Sequence, residues 1–206
     1  MKIIFDERET PLYEQCSSII SSQPNPSYAD LYKEVLPLGD ILIRTDENLD
    51  LLLIERKSFS DLIASIKDGR YEEQSYRLLH SSNFPLHSII YLIEGMFSQV
   101  NNPLEKKMIY SAMTSLHYFK GFSVYRTAHL RETAEWLLNM IDKIEKEFNK
   151  GRVPYYLTNP FLKQFQKRDE ENLSENQEKI PQNQENYCSV VKKVKKDNKD
   201  KKVKKV

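Results

Sequence analysis

Three charged residues close a segment of the chain that is otherwise apolar. The run at 51–54 should form a buried strand, and it is followed directly by Glu55, Arg56 and Lys57. Side chains alternate across a strand, so we expect Glu55 and Lys57 on one face and Arg56 on the other. Asp40 begins the strand-like region that precedes this one. An antiparallel hairpin would therefore gather one Asp, one Glu and one Lys at a sheet end.

These three groups are the ones that metal-assisted cleavage of a phosphodiester requires. Two neighbouring carboxylates form a hard-oxygen site suited to Mg²⁺, or to Mn²⁺ in its place, with waters completing the coordination shell. A divalent metal polarises the phosphoryl oxygen and lowers the pKa of a bound water, and an adjacent Lys can orient that water. Charges at strand ends are also common on solvated surfaces, so this spacing alone is a weak motif.

Strands and helices alternate along the part of the chain that has to position these groups. Short apolar or alternating runs predict strands at 2–5, 31–40, 41–45, 51–57, 88–94 and 122–127. Periodic apolar residues predict helices at 11–22, 58–66, 71–79, 103–119 and 131–149. This order of elements predicts an α/β domain with a mixed sheet flanked by helices.

The charge of the chain is concentrated at its C-terminal end. The net charge is +1, but residues 192–206 carry nine Lys and two Asp, which leaves −6 on the residues before them. A domain with a net negative charge does not bind nucleic acid through its overall charge. It would need local basic patches, metal ions or the basic tail to do so. Residues 166–206 are polar and of low complexity, which predicts a disordered segment after a domain at 1–165.

Targeting signals in the sequence are few. No apolar run approaches the length of a membrane span, and the two cysteines lie far apart in a pattern that suits a reducing compartment. The lysine-rich tail is a solvated run, a nuclear-import signal or a DNA tether. We therefore expect a nuclear protein, with a cytoplasmic location as the alternative, and no membrane partner.

The motifs together resemble the XPF-type structure-selective endonucleases, in particular their Mus branch and the archaeal Hef relatives. The signature of that family reads G-D-(spacer)-E-R-K-x-x-x-D. The chain supplies each position of it, with Gly39, Asp40, Glu55, Arg56, Lys57 and Asp61. The D-x-R-E that ends the family's first strand is also present, as Asp6, Arg8 and Glu9. The resemblance covers about residues 1–165 and implies a restriction-endonuclease-like core.

The resemblance implies a role for each catalytic position. Asp40 and Glu55 would bind the metal directly, and Lys57 would position the attacking water. Asp6 and Glu9 would lie at the edge of the site, where they would hold metal-bound waters or a second ion.

The remaining positions are expected to support the site or to contact the substrate. Arg56 would pair with Asp61 rather than touch substrate, and Asp61 also stands three residues after Ser58, the spacing of a capping box. On the following helix, about one turn apart, three residues would line the cleft: Arg70, Gln74 and Arg77.

The function that follows is a metal-dependent DNA endonuclease acting on branched or flapped DNA in repair or recombination. The resemblance implies a dimer, either of two copies or with a related subunit, and the apolar stripe of the 131–149 helix is a candidate contact. One alternative is a non-catalytic DNA-binding or scaffolding subunit of a nuclease heterodimer, although such subunits usually lose the E-R-K residues. Another is cleavage of RNA, since a metal and a Lys act on the phosphate rather than the sugar.

Overall fold

The computed structural model describes residues 1–22, 29–46, 48–152 and 154. The strands are β1 (Lys2–Asp6), β2 (Asp30–Glu34), β3 (Ile41–Arg44), β4 (Asp50–Ser58), β5 (Ile89–Glu94) and β6 (Ser123–Thr127). The α-helices are α1 (Thr10–Ser21), α2 (Phe59–Asp68), α3 (Arg70–Ser81), α4 (Pro103–Thr114) and α5 (Leu130–Asn149). The mixed α/β architecture expected from the sequence is confirmed.

The six strands form one mixed sheet in the order β2-β1-β3-β4-β5-β6. Strand β3 runs antiparallel to both of its neighbours, whereas β1 pairs with β2, β4 with β5, and β5 with β6 in parallel. The carboxyl ends of β1, β4, β5 and β6 therefore share an edge of the sheet with the start of β3. This edge brings together residues that are far apart in the sequence.

Helices cover the sheet on both faces, and the alternation of β4 divides its side chains between two apolar clusters. Leu53 packs with residues of α2, α3 and α4, and Ile54 packs with residues of α1 and α5. The face of β4 that carries Leu53 also carries Glu55 and Lys57, as the side-chain period of a strand requires. The active-site candidates therefore lie on the α2–α4 side of the sheet.

The apolar stripe of α5 is used inside the domain. Its buried members are Ala134, Leu137, Leu138 and Ile141, which pack with Leu12 and Cys16 of α1. A dimer contact through this helix would have to use its partly buried apolar residues, such as Ile144 and Phe148, and it stays a prediction.

The element boundaries follow the sequence pattern closely except at the strand expected over 31–40. That expectation is wrong beyond Glu34, where β2 ends, because Pro37 has no N–H to donate to a strand pairing and Gly39 adopts a left-handed conformation. The hairpin of β3 and β4 is confirmed, and β4 continues through all three charged residues to Ser58. The helix expected at 103–119 is α-helical to Thr114 and then π-helical over Ser115–Phe119. No helix among the described ranges is both long and apolar enough to cross a bilayer. The predicted boundary at residue 165 and the tail at 166–206 lie outside the described residues.

Candidate active site

Asp40 is fixed by backbone hydrogen bonds to the strands on either side of it. Its N–H donates to the carbonyl of Ile54 at 2.8 Å, and its carbonyl accepts from the N–H of Asp6 at 2.8 Å. Its carboxylate accepts from the N–H of Arg56 at 2.7 Å. Asp40 therefore joins β1 to β4 at the sheet edge, and its carboxylate is held against β4.

Gly39 makes this approach possible. Its φ is +71°, a left-handed conformation that side chains other than Gly disfavour. A Cβ at this position would lie 2.6 Å from Cδ1 of Leu53 and 3.2 Å from the carbonyl oxygen of Ile54. The glycine of the G-D pair is thus required by both conformation and space, because it lets the chain turn directly over β4.

Glu55 and Lys57 lie on the same face of β4, as their spacing predicts. Each is only 8% exposed, and the ammonium of Lys57 lies 3.6 Å from Oε1 of Glu55. The same ammonium donates a 2.8 Å hydrogen bond to Oε1 of Gln74 on α3. The carboxylate and the ammonium are therefore withdrawn from bulk solvent, where electrostatic interactions are stronger than at an exposed surface.

A cavity of about 470 Å³ opens onto Asp40, Glu55 and Gln74. Its floor and walls come from the end of β1, the segment before β3, the end of β4 and helix α3. The residues that line it include Asp6, Arg8, Leu36, Gly39, Asp40, Glu55, Gln74, Arg77 and Leu78. The cavity thus collects side chains from four separate parts of the sequence.

The two central carboxyl groups are shifted in the direction expected for buried neighbours of like charge. Burial, and then the charge of Asp40, raises the pKa of Glu55 to about 7. Burial also raises the pKa of Asp40, although the Arg56 N–H and the nearby charges of Arg8 and Lys57 oppose the shift. Burial disfavours the ionised form of both carboxyl groups, and the charge of Asp40 adds to this effect at Glu55; a divalent cation bound between them would offset it.

The donor chemistry at this site fits a hard divalent cation. Asp40 and Glu55 offer carboxylate oxygens, the ligands that Mg²⁺ and Mn²⁺ prefer. Within the described ranges, no group of three or more His, Cys, Asp or Glu side chains is arranged to hold a metal. The three predicted ligands Asp6, Asp40 and Glu55 are therefore not gathered into one group, and a cation held by two carboxylates would need waters to complete its shell.

Asp6 uses both carboxylate oxygens to shape the wall of the cavity. Oδ1 accepts from the backbone N–H and the guanidinium of Arg8, and Oδ2 accepts from the N–H of Leu36 at 3.0 Å. The hydrogen bond from Arg8 is the main reason that the pKa of Asp6 is lowered. Asp6 thus ties the end of β1 to the segment after β2, at the mouth of the site.

The expected pairing of Arg56 with Asp61 is wrong. The guanidinium of Arg56 contacts both carboxylate oxygens of Glu94, at 2.8 and 3.2 Å, and Oε2 of Glu9 at 3.0 Å. Thr133 of α5 donates to the same Glu94 at 2.6 Å. Arg56 points to the α1–α5 side of the sheet, and Glu9 and Glu94 reach it there from neighbouring elements, whereas Asp61 belongs to a helix on the other side.

Asp61 belongs to the N-terminal cap of α2, in which Ser58 is the N-cap residue. Its backbone N–H donates to Oγ of Ser58 at 3.1 Å, and its carboxylate accepts from the same hydroxyl at 2.6 Å. The exposed position of Asp61 at the first turn of α2 favours an acid there. The capping role expected from the spacing is confirmed, and a direct part in catalysis stays a prediction.

Two further predicted residues lie away from the cavity lining. Glu9 is paired with Arg56, and burial raises its pKa even though Arg56 opposes the shift. Arg70 is exposed and pairs with Asp68 at 2.7 Å. Of the three residues expected along α3, Gln74 and Arg77 line the cavity.

Sequence reasoning assigned no role to three residues around the site. Arg8 lies in the lining with its guanidinium 75% exposed, and its charge acts on both Asp40 and Glu55. Glu94 closes an apolar strand and holds Arg56. Tyr91, the neighbour of Glu55 in the parallel register, is fully buried, and its hydroxyl has no hydrogen-bond partner among the described residues. A strand that reads as continuously apolar gives no signal for either β5 residue.

A mixed sheet with two carboxylates and a lysine at the end of a central hairpin defines a nuclease-type α/β domain. The sequence model of the ERCC4 domain matches residues 6–140, and the chain belongs to this family. The resemblance to XPF-type proteins is thereby confirmed. The fold is similar to that of XPF from Aeropyrum pernix, with a TM-score of 0.54 and 23% identity over 71% of this chain and 65% of that one. A structure of the same archaeal protein in complex with DNA matches equally well, with a TM-score of 0.54 and 22% identity.

Curated relatives match part of the chain. The human structure-specific endonuclease subunit MUS81 is 38% identical over 85 residues, which are 41% of this chain and 15% of the human protein. The crossover junction endonuclease MUS81 of Gibberella zeae is 36% identical over 98 residues, or 47% and 16% of the two chains. A probable crossover junction endonuclease of Dictyostelium discoideum is 29% identical over 73% of this chain and 18% of its own. The chain thus spans less than a fifth of the length of these relatives.

Proposed function

We propose that this chain is a metal-dependent DNA endonuclease that hydrolyses phosphodiester bonds in branched or flapped DNA during repair or recombination. The observation that carries the proposal is the meeting of the carboxylates of Asp40 and Glu55 at one cavity, with the ammonium of Lys57 3.6 Å from Glu55. Membership of the ERCC4 domain family, with relatives named as endonucleases, supports it.

Asp40 and Glu55 would hold a Mg²⁺ ion, with Mn²⁺ able to replace it. When bound, such an ion supplies Lewis-acid stabilisation of the developing phosphoryl charge and a water of lowered pKa. Lys57 lies beside Glu55 and would orient the attacking water. Asp6 would act from the cavity wall, and its placement next to Arg8 supports a part in holding the substrate side of the site.

Cationic side chains at the mouth of the cavity would contact the DNA backbone. Arg8 and Arg77 both line the cavity and are exposed, so their guanidinium groups can approach a phosphate at its mouth, that of Arg8 from its ion pair with the buried Asp6. Arg70 is the exposed first residue of α3, and it would extend the contact with the DNA backbone. The solved complex of the archaeal relative with DNA supports this class of ligand.

A dimer, with a second copy or a related subunit, is part of the proposal. The human relative is named as a subunit, which supports assembly into a larger enzyme. With the α5 stripe buried, the pairing surface would involve other groups such as the stacked Tyr125 and Trp136 near the sheet edge. We also propose a nuclear location, on the basis of the lysine-rich run at 192–206.

The test is a cleavage assay with labelled flap, fork, linear duplex and RNA substrates in the presence and absence of Mg²⁺. Asp40→Asn and Lys57→Met are the site variants, and Lys67→Met, which removes a lysine paired with Glu105 at the surface, is the matched control. We expect Mg²⁺-dependent cutting of branched DNA by the wild type and the control, and a loss of at least about 100-fold in both site variants.

Other outcomes assign the chain to the alternatives. Binding of branched DNA without cutting, unchanged by either site variant, would show a non-catalytic DNA-binding subunit. Cutting of RNA alone would show that the same site serves a different nucleic acid. Cutting that survives both site variants would contradict the proposed site.

A further inference from the structure

The ammonium of Lys57 needs a hydrogen-bond partner that fixes its position if it is to act in catalysis. A lysine carries its charge on a flexible four-carbon stem, so its ammonium has no fixed direction of its own. Within the described residues, the ammonium approaches Glu55 at 3.6 Å, which is longer than a hydrogen bond, and Gln74 at 2.8 Å, which is a good one. The side-chain oxygen of Gln74 is therefore the atom that fixes where the charge of Lys57 lies.

Gln74 is supplied by a helix that is itself well anchored. Helix α3 buries Tyr71 and Leu78 in the apolar cluster on this side of the sheet, and the hydroxyl of Tyr71 donates to the carbonyl of Ala112 in α4. Ser75, next to Gln74, is fully buried. The acceptor on Gln74 thus occupies a position set by packing, while Gln74 still lines the cavity.

An amide suits this position better than a carboxylate. The cavity already contains the carboxyl groups of Asp6, Asp40 and Glu55, and another negative charge would add to their repulsion. It would also form an ion pair with Lys57 and compete with the phosphate for that charge. The neutral amide oxygen accepts the hydrogen bond and adds no negative charge to that of Glu55 beside the ammonium.

We infer that Gln74 is a positioning residue, which holds the ammonium of Lys57 in the orientation needed for phosphodiester hydrolysis. This assignment rests on the proposed function and differs from a direct contact of Gln74 with DNA. A residue that acts only through Lys57 has no effect once Lys57 is gone. A residue that binds DNA by itself keeps its effect whether or not Lys57 is present.

A double-mutant cycle separates these two roles. Gln74→Met keeps the length of the side chain and removes the acceptor, and it is combined with Lys57→Met. Single-turnover cleavage of flap DNA should fall about 10- to 100-fold in Gln74→Met, the scale of a misplaced catalytic group. The double variant should cleave as slowly as Lys57→Met alone, and DNA affinity should change less than twofold in Gln74→Met.

Arg77→Met is the matched control for the cycle. Arg77 also lines the cavity and follows Gln74 by about one helical turn, and its contact is with the carbonyl of Pro37 rather than with Lys57. The fold loss in cleavage rate caused by Arg77→Met should multiply with the fold loss caused by Lys57→Met. If the losses from Gln74→Met and Lys57→Met also multiply, or if Gln74→Met cleaves like the wild type, the positioning role is wrong.

A second measurement needs no catalysis. Reductive methylation of the metal-free protein, followed by mass spectrometry of the peptide that contains Lys57, reports how accessible its ammonium is. We expect faster methylation in Gln74→Met than in the wild type and no change in Arg77→Met, with thermal unfolding confirming that each variant is folded. An unchanged rate in Gln74→Met would overturn the inference. A wild type that cuts no substrate would instead contradict the proposed function and leave this measurement as the test of the contact.

Discussion

The backbone N–H of Arg56 donates a 2.7 Å hydrogen bond to the carboxylate of Asp40, while its guanidinium is bound by Glu9 and Glu94 on the other side of the sheet. The main chain of Arg56 therefore positions the carboxylate of Asp40 in the site, and its side chain pairs with two carboxylates that belong to the fold. Its neighbours Glu55 and Lys57 face the cavity side because side chains alternate along β4.

Arg56→Met should destabilise the domain. It leaves Glu9 and Glu94 largely buried and without their cation, and breaking such a pair from one side costs about 3 kcal/mol. Urea unfolding followed by circular dichroism measures the change. Arg131→Met, which removes an exposed partner of Glu135, is the control and should cost less than about 1 kcal/mol. Equal losses in the two variants would show that the buried network does not stabilise the fold.

The metal-free protein should lose stability as the pH rises from about 5 to about 8. The pKa of Glu55 is raised from 4.5 to about 7 on folding, so the folded state holds a proton that the unfolded state has released. The stabilisation is complete below the unfolded pKa and is lost as the pH rises through the folded one. It amounts to about 3 kcal/mol. Thermal unfolding across this range measures it, and Glu55→Gln should flatten the profile. A wild-type profile as flat as that of the variant would contradict the shift.

Binding of Mn²⁺ should tighten over the same pH range. Glu55 must lose its proton before it can act as a ligand, so binding near pH 7 should release a proton and weaken at pH 6. Isothermal titration calorimetry in two buffers of different ionisation enthalpy measures both the affinity and the released proton. Asp40→Asn should weaken binding at every pH. Equal affinity at pH 6 and pH 8 would show that Glu55 is not a ligand.

Gly39→Ala should be more costly than Gly69→Ala. Both glycines have positive φ, so both variants pay about 1–2 kcal/mol for the left-handed conformation. A Cβ at Gly39 would also meet Leu53 at 2.6 Å, whereas a Cβ at Gly69 would meet nothing within 4 Å. In chemical denaturation, the free energy of unfolding of Gly39→Ala should therefore be lower than that of Gly69→Ala by at least about 1 kcal/mol. Because Gly39 presents Asp40, only Gly39→Ala should also weaken Mn²⁺ binding.

Tyr91→Phe should leave the stability of the domain unchanged or raise it. The variant keeps the ring, which packs against Phe122, and removes a buried hydroxyl that has no partner in the described part of the chain. Tyr71→Phe is the matched control, since its hydroxyl donates to the carbonyl of Ala112, and it should cost about 1 kcal/mol. A clear loss of stability in Tyr91→Phe would reveal a partner for the hydroxyl.

Much of the fold could be predicted from local patterns. The alternation around Asp40 and the run at 51–57 identified a hairpin, and the charged residues at its end identified the site, because strand periodicity fixes which side chains share a face. The place of Asp61 in the cap of α2 was equally local, since it lies only three residues after Ser58. In each case the partners are near in the sequence, so spacing determines their geometry.

The partners of Arg56 could not be predicted in this way. Asp61 lies five residues further along the chain, but Glu9 and Glu94 lie 47 and 38 residues away and are the ones that bind. Lys57 and Gln74 meet for a similar reason, because α3 folds back over the face of β4 that carries the lysine. The sequence by itself determined the chemistry available and the face on which each side chain lies. Only the tertiary structure decided which distant groups share that face, because strand order and helix packing bring them together.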